Sequence, residues 1–301
     1  MKNNIRYILF SLTFFIFFVN AQTISYDQHL LHKIRIASKS IAGEKSKEVR
    51  YTIFAESPRT FSATVEGGDK SPYIQARTAY QLIFPTSSIM IDAGMDEEVH
   101  NFFGKGEKQP YFKSKNDSIQ LALNQADKII ITHEHGDHIA GVLRSNDYKS
   151  LASKTILTYQ QINTLINQPQ MPQLKIDSSK IKDFIAVDFY DILPVAPGVV
   201  LIKAPGHTPD EIMVYTQLDN GKEYIFTGDV SWSYKGIDEK KQKPKDQVKR
   251  IGEDSTKIKF QLEWLNSLSK KENIQLIVSH DNIIQPNLVK KGILKERLLI
   301  K

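Results

Sequence analysis

The chain has 301 residues, 41% of them hydrophobic and 25% charged, with a formal charge of +6, which excludes general disorder and leaves room for one sizeable core or two small ones. The mild positive charge is spread along the chain, which favours a soluble protein with some taste for anionic surfaces and is only weak evidence for nucleic-acid binding. Cysteine is absent, so there are no disulfides, thiolate ligands or lipid-modified cysteine, and any metal site must be built from histidine and carboxylate.

Lys2 and Arg6 precede an uncharged apolar run, Tyr7 to Val19, which ends in Val19-Asn20-Ala21. A short basic region, an apolar stretch too short for a bilayer and small residues before a cut site describe a secretory signal peptide, cleaved after Ala21. An uncleaved membrane anchor is the alternative. Cleavage leaves residues 22–301 as one mature domain with a balance of 38 − 34 = +4, without a stable membrane span and located in the periplasm or outside the cell.

Leu30, Ile34, Ala37 and Ile41 then mark a helix within residues 26–44. Tyr51–Ala55, Thr78–Phe84 and Ser88–Asp92 read as strands broken by Pro58, Gly67-Gly68 and Pro85. Residues 116–126 form a helix capped by Asn116 or Asp117, and Lys128–Thr132 a buried strand. Val199–Ala204, Glu211–Thr216 and Glu223–Thr227 are short strands. Residues 235–253 are charged and nearly free of apolar anchors, so they read as a solvated surface loop, with a lid over a nearby site as the alternative. A helix from Asp254 to Lys270 carries Ile258, Leu262, Leu265 and Leu268 along one stripe, and Ile274–Ser279 is a last strand. Strands alternating with helices give an α/β class.

The strand at 128–132 runs into "THEHGDH", which offers His133, His135, Asp137 and His138 within six positions. His133 and His135 point the same way if the segment stays extended. Asp137 and His138 leave the following turn in different directions, which is a means of serving two ions a few ångströms apart. The zincin pattern does not apply, because the residue four after His133 is Asp137 and Gly136 interrupts a helix. Glu134 is therefore a bystander or a support for its neighbours. Other strands also end on metal-capable residues: His207 in "APGHTP", Asp229 in "FTGDVS" and His280 in "LIVSH". His29, His32 and His100 lie in polar, helix-like stretches and read as surface residues.

Asp92 in "IDAG", the His133-x-His135-x-Asp137-His138 run, Gly206-His207-Thr208-Pro209, Gly228-Asp229 and the late His280 together resemble the metallo-β-lactamase-fold hydrolases, in matching order over residues 80–281. The resemblance implies a four-layer αββα sandwich with metals at one edge of the two sheets. It implies that His133, His135 and His207 hold one ion, that Asp137, His138 and His280 hold the second, and that Asp229 bridges them. Imidazole and carboxylate donors suit two Zn2+, with iron or manganese as alternatives. Two such cations bring a shared water to hydroxide near neutral pH and polarise a carbonyl, and Asp137 would orient that hydroxide.

An aspartate at position 229 resembles lactonases and glyoxalase-type thioesterases more than true β-lactamases, and export disfavours tRNA processing and a cytosolic glutathione thioesterase. The expected activity is that of an exported esterase or lactonase, with N-acyl homoserine lactones as one candidate substrate class. A cysteine-free metallo-β-lactamase, a thioesterase and a persulfide dioxygenase with one iron on His133, His207 and Asp229 are alternatives of the same fold. A non-catalytic binding domain would have lost ligands, and none is missing. The lactonases often carry a tyrosine three positions after the bridging aspartate, where this chain has Trp232. Tyr234 either reaches the site from a shifted loop or is a surface aromatic; Trp232 either lines an acyl pocket or belongs to the core. No motif encodes an oligomeric state.

Overall fold

The computed structural model describes residues 24–300, so the signal peptide expected at 1–21 lies outside the described residues. Two sheets dominate. The first contains β1 (Glu48–Thr60), β2 (Pro72–Ile83), β3 (Ser88–Ile91), β4 (Lys128–Ile130), β5 (Thr155–Thr158) and β6 (Ile185–Val187). The second contains β7 (Ile192–Ala196), β8 (Val199–Lys203), β9 (Ile212–Gln217), β10 (Glu223–Phe226) and β11 (Ile274–Ile277). The short β12 (Lys295–Glu296) returns to the first sheet beside β1, giving the orders β12-β1-β2-β3-β4-β5-β6 and β11-β10-β9-β8-β7.

The helices are α1 (Gln28–Ala37), α2 (Glu97–Phe103), α3 (Lys113–Gln125), α4 (Gly136–Leu143), α5 (Tyr148–Ala152), α6 (Tyr159–Asn167), α7 (Tyr234–Glu239), α8 (Lys245–Ile251), α9 (Ser255–Lys271) and α10 (Gln285–Lys290). Three buried apolar clusters separate four layers, as expected for an αββα sandwich. One joins the first sheet to α3, α4 and α6 through Met90, Ile129, Leu123, Ile139 and Leu165. The middle one lies between the sheets, with Tyr80, Ile91 and Ile130 against Leu201, Val214 and Phe226. The third joins the second sheet to α1, α7 and α9 through Ile202, Met213, Ile34, Ile237 and the full stripe Ile258, Leu262, Leu265 and Leu268. Strand period explains the division: Val199 and Leu201 face the middle core, while Val200 and Ile202 face the outer one.

Three sequence expectations change. The helix predicted at 116–126 starts a turn earlier, at Lys113, and Asp117 is no cap; it pairs with Lys113 one turn away at 2.8 Å. Pro58 does not break a strand. It pairs with Ile74, and β12 covers β1 only at Arg50 and Tyr51, so the missing N–H faces an open edge. Residues 235–253 are not a loop, since α7 and α8 occupy most of them. Among the described residues no helix is long and apolar enough to cross a membrane.

The topology gathers the chemistry at one rim. β3, β4 and β5 run parallel, as do β10 and β11, so the carboxyl ends of β3, β4, β8, β10 and β11 deliver their loops to the same edge. Asp92, the histidine run, His207, Asp229 and His280 all follow those ends. β2 is antiparallel to β3 with Tyr80 opposite Ile91, which puts Arg77 on the rim as well.

Candidate metal centre

The segment 131–135, which bends at Thr132, Glu134 and His135, places His133 and His135 before α4, with His135 at the N-cap position of this helix. Asp137 and His138 occupy its first turn, where an acidic side chain is favoured by the exposed N–H groups. Gly141 lets α4 lie on the preceding loop: its N–H donates to the Gly94 carbonyl at 2.8 Å, and a Cβ there would meet the Ala93 carbonyl oxygen at 1.9 Å. Gly228 turns the chain before Asp229 with φ +54°, and a Cβ there would sit 2.4 Å from Glu211.

Three donor groups result. His133, His135 and His207 form one, His133, His138 and Asp229 a second, and Asp137, His138 and His280 a third, the donor atoms within each lying within 4.8 Å of one another. His135 Nδ1 is 3.1 Å from His133 Nε2 and 3.0 Å from His207 Nε2. Asp229 stands between the groups, with Oδ1 2.9 Å from His280 Nε2 and 3.5 Å from His138 Nε2, and Oδ2 3.4 Å from His207 Nε2.

Other parts of the rim hold the far side of each ring. His138 Nδ1 lies 2.8 Å from Asp92 Oδ2, His207 Nδ1 2.5 Å from Glu253 Oε1, and His280 Nδ1 2.6 Å from the Ala76 carbonyl. Thr132 Oγ1 is 3.2 Å from His133 Nδ1. Such partners fix which nitrogen faces inward. Asp92 adopts φ 61°, a conformation that aspartate tolerates better than most residues, and accepts from the Thr132 N–H at 2.8 Å.

The inner atoms fit a metal. His138 Nε2 is buried without a hydrogen-bond partner and faces Asp137 Oδ2 and Asp229 Oδ1, each 3.5 Å away, a costly arrangement unless a cation gathers them. Burial, then the neighbouring histidines, holds His133 well below the ordinary imidazole value; the same causes bring His135 down to about 3. For His207 the causes are burial and then Lys243. These three rings are therefore neutral, as metal ligands must be. Burial opposes charge on His138, but Asp92, Asp137 and Asp229 outweigh it and push the ring up to about 10. Burial alone would raise Asp137; Arg77, His138 and His280 hold it at about 2.

The remaining sequence expectations separate. Trp232 donates from Nε1 to Asp229 Oδ2 at 2.9 Å and lines the cleft beside His207 and His280. Tyr234 does not reach the site. Its hydroxyl donates to the Leu276 carbonyl and its ring packs against the outer core of the second sheet, because α7 begins there and turns the side chain away from the rim. His100 is buried, not on the surface, stacked on Tyr111 at 5.8 Å between ring centres; His29 and His32 are exposed. Glu134 is buried and accepts from Thr208 Oγ1 at 3.1 Å, tying the first histidine loop to the His207 loop; burial pushes its carboxyl up to about 7.

Sequence reasoning missed four residues. Arg77 places Nη1 3.0 Å from Asp137 Oδ2; a lone arginine leading into the apolar run of β2 was its only signal. Glu211 accepts from the Asp229 N–H at 2.5 Å, and burial, then Asp229, pushes its carboxyl well above the usual range. Glu253 and Lys243 pair at 2.6 Å, and Lys243 also donates to the Asp229 carbonyl at 2.6 Å. Both sit in the segment whose composition suggested a solvated loop.

This sandwich, with histidine and aspartate donors converging at its rim, defines a metal-dependent hydrolase. The family model of the metallo-beta-lactamase superfamily matches residues 78–254, more than half of the chain, and the chain belongs to that superfamily. A search of curated proteins found no relative of significant similarity. Among solved structures, a quorum-quenching N-acyl homoserine lactone lactonase superposes with a TM-score of 0.61 at 16% identity, over 82% of this chain and 97% of the other. An N-acyl homoserine lactone hydrolase with N-hexanoyl-L-homoserine at its catalytic metal center gives 0.60 at 17%, over 81% and 96%. A dizinc quorum-quenching lactonase gives 0.53 at 15%, over 79% and 90%. At these identities the likeness concerns the fold.

Proposed function

We propose that the protein is an exported dinuclear zinc hydrolase that opens an ester or lactone, with N-acyl homoserine lactones among its candidate substrates. The observation that carries this reading is Asp229, which stands between the donor groups with its carboxylate oxygens within 3.5 Å of His138, His207 and His280. In this reading His133, His135 and His207 hold one ion, Asp137, His138 and His280 the other, and Asp229 both. Bound there, the ions would supply a nucleophile from water near neutral pH and polarise the substrate carbonyl.

The chain's own residues do the rest. Neutral His133, His135 and His207 offer lone pairs, and Glu253, Asp92 and the Ala76 carbonyl align the rings of His207, His138 and His280 respectively. Trp232 donates to one oxygen of Asp229 and forms part of the cleft wall. Asp137, ionised and facing the centre, is placed to orient the attacking oxygen. The lactone neighbours and the signal-like N-terminus support the substrate class and the export, respectively.

A one-metal reading has one observation in its favour: Arg77 already sets a cation against Asp137 and within 3.2 Å of His280 Nδ1. A persulfide dioxygenase with a single iron on His133, His207 and Asp229 would need no second site.

The deciding experiment is metal analysis followed by a hydrolysis panel on the zinc-loaded protein, with His138→Ala as the inactive control. The panel spans short- and long-chain homoserine lactones, aryl esters, thioesters and β-lactams. Two zinc ions per chain and turnover of lactones or esters are expected. One iron per chain, or turnover confined to β-lactams, would overturn the proposal.

A further inference from the structure

The cleft over the metal centre has a volume of about 520 Å³ and is lined by four cationic side chains, Arg59, Arg77, Lys105 and Arg250. Apart from Asp137 and Asp229 at the centre itself, only Glu107 and Asp246 among its lining residues are acidic. Among the described residues neither Arg59 nor Arg250 forms an ion pair. Arg59 donates to the Pro58 carbonyl, and Arg250 donates to Gln247 Oε1 at 2.7 Å. Arg77 is 6% exposed and pairs with Asp137, yet its Nε is buried without a hydrogen-bond partner. Its guanidinium lies 5.1 Å from the Phe103 ring centre, so the apolar wall and the charge belong to one surface.

Three arginines from β1, β2 and α8 thus converge on one cleft, and among the described residues only Arg77 has a carboxylate, Asp137, paired with it. Burial, then the charges of Arg77 and Arg250, holds Arg59 below the ordinary arginine value, so the three repel one another across the cleft. With divalent ions offsetting Asp137 and Asp229, the excess positive charge grows. Guanidinium groups recognise planar or tetrahedral oxyanions by paired N–H donors.

We propose that the substrate carries a compact oxyanion, a carboxylate or a phosphoryl group, which Arg59 and Arg250 receive while the bond to be broken lies over the metal centre. Arg77 stands behind them as the buried source of positive potential. This deepens the carbonyl-hydrolase reading above and rests on it. It places anion-bearing esters or lactones ahead of neutral ones, plain N-acyl homoserine lactones included.

The test uses matched esters with one leaving group, nitrophenyl pentanoate and mono-nitrophenyl glutarate, which differ by a terminal carboxylate. On the zinc-loaded protein, kcat/KM is expected to favour the glutarate by on the order of tenfold at low salt. The preference should shrink as ionic strength rises and fall toward one in the Arg59→Gln/Arg250→Gln double variant. Equal rates, a preference for the neutral ester, or a preference that the double variant retains would overturn the inference.

If neither ester is cleaved, the carbonyl-hydrolase reading is the one that fails. The anion inference is then decided by bis-nitrophenyl phosphate turnover and by calorimetric binding of glutarate to the zinc-loaded protein. Turnover or salt-sensitive binding that the double variant loses supports it, with phosphate turnover marking a phosphoryl substrate and glutarate binding alone a carboxylate. Absence of both, or either one unchanged in the double variant, overturns it.

Discussion

At the scale of single residues, orientation matters as much as identity. Trp232 stands three positions after Asp229, and its indole N–H donates to that carboxylate. Trp232→Phe keeps most of the packing and removes only that donor. It should cost roughly ten- to hundredfold in metal affinity or kcat/KM, the usual penalty for losing a partner behind a ligand. Unchanged zinc affinity together with unchanged kcat/KM would show that the indole is only a wall. His138 gives a second expectation with a definite sign. Its ring, pushed up to about 10, holds a proton throughout the neutral range, whereas a metal needs its neutral form. Below that value one proton must leave for each ion bound there, so affinity at this position should rise about tenfold per pH unit. Chelator competition between pH 6.5 and 8.5 measures the slope, on the order of one proton by linkage; a flat profile would rule out the charged ring. The histidines themselves were legible because their motif is contiguous or ends a strand. Arg77 was not, because a lone arginine in a strand has no pattern until folding sets it beside Asp137.

Among the elements, the stretch from α7 to α8 departs furthest from its composition. Its charges suggested a solvated loop, yet Lys243 and Glu253 are buried and pinned to each other, to His207 and to the Asp229 backbone. Sequence composition counts charges without saying which of them pair, so a buried salt bridge and a wet surface look alike. The segment is thus fastened to the site at both ends of α8, and Gln247, Arg250 and Ile251 form one wall of the cleft. Burial would raise Glu253, but Lys243 and His207 hold it at about 2, so its charge persists wherever the protein is folded near neutral pH. Removing one partner strands that charge. Lys243→Met should therefore destabilise the protein by about 3–5 kcal/mol, and Lys243→Met/Glu253→Gln should recover much of the loss. Urea unfolding of the three proteins tests this. A double variant no more stable than the single one would mean that Lys243 matters through its contact with Asp229 rather than through the pair.

For the whole molecule, the class and the rim were legible, while the pairing order was not. Strand-like runs alternating with helical stretches announced an α/β chain, and strand ends rich in His and Asp announced one functional edge. Nothing local announces that residues 295–296 return to pair with β1, or which faces of β8 meet the first sheet, since those choices depend on contacts between distant segments. The rim has a thermodynamic consequence at this scale. His133, His135, Asp137 and His138 follow a strand of the first sheet, whereas His207, Asp229 and His280 follow strands of the second. Ions held by both sets would cross-link the sheets at the edge where these donors face one another. Ligand linkage then gives about 4 kcal/mol of stability at a free zinc level a thousand times Kd. Chelation should lower Tm by several degrees and restoration of zinc should return it. Hydrogen exchange should locate the loss in the loops after β4, β8, β10 and β11 while the middle core, with Tyr80, Leu201 and Phe226, stays protected. A Tm indifferent to chelator, or exchange that speeds up evenly through the middle core, would mean that the sheets are joined by packing alone and that the metals only fill a site already built.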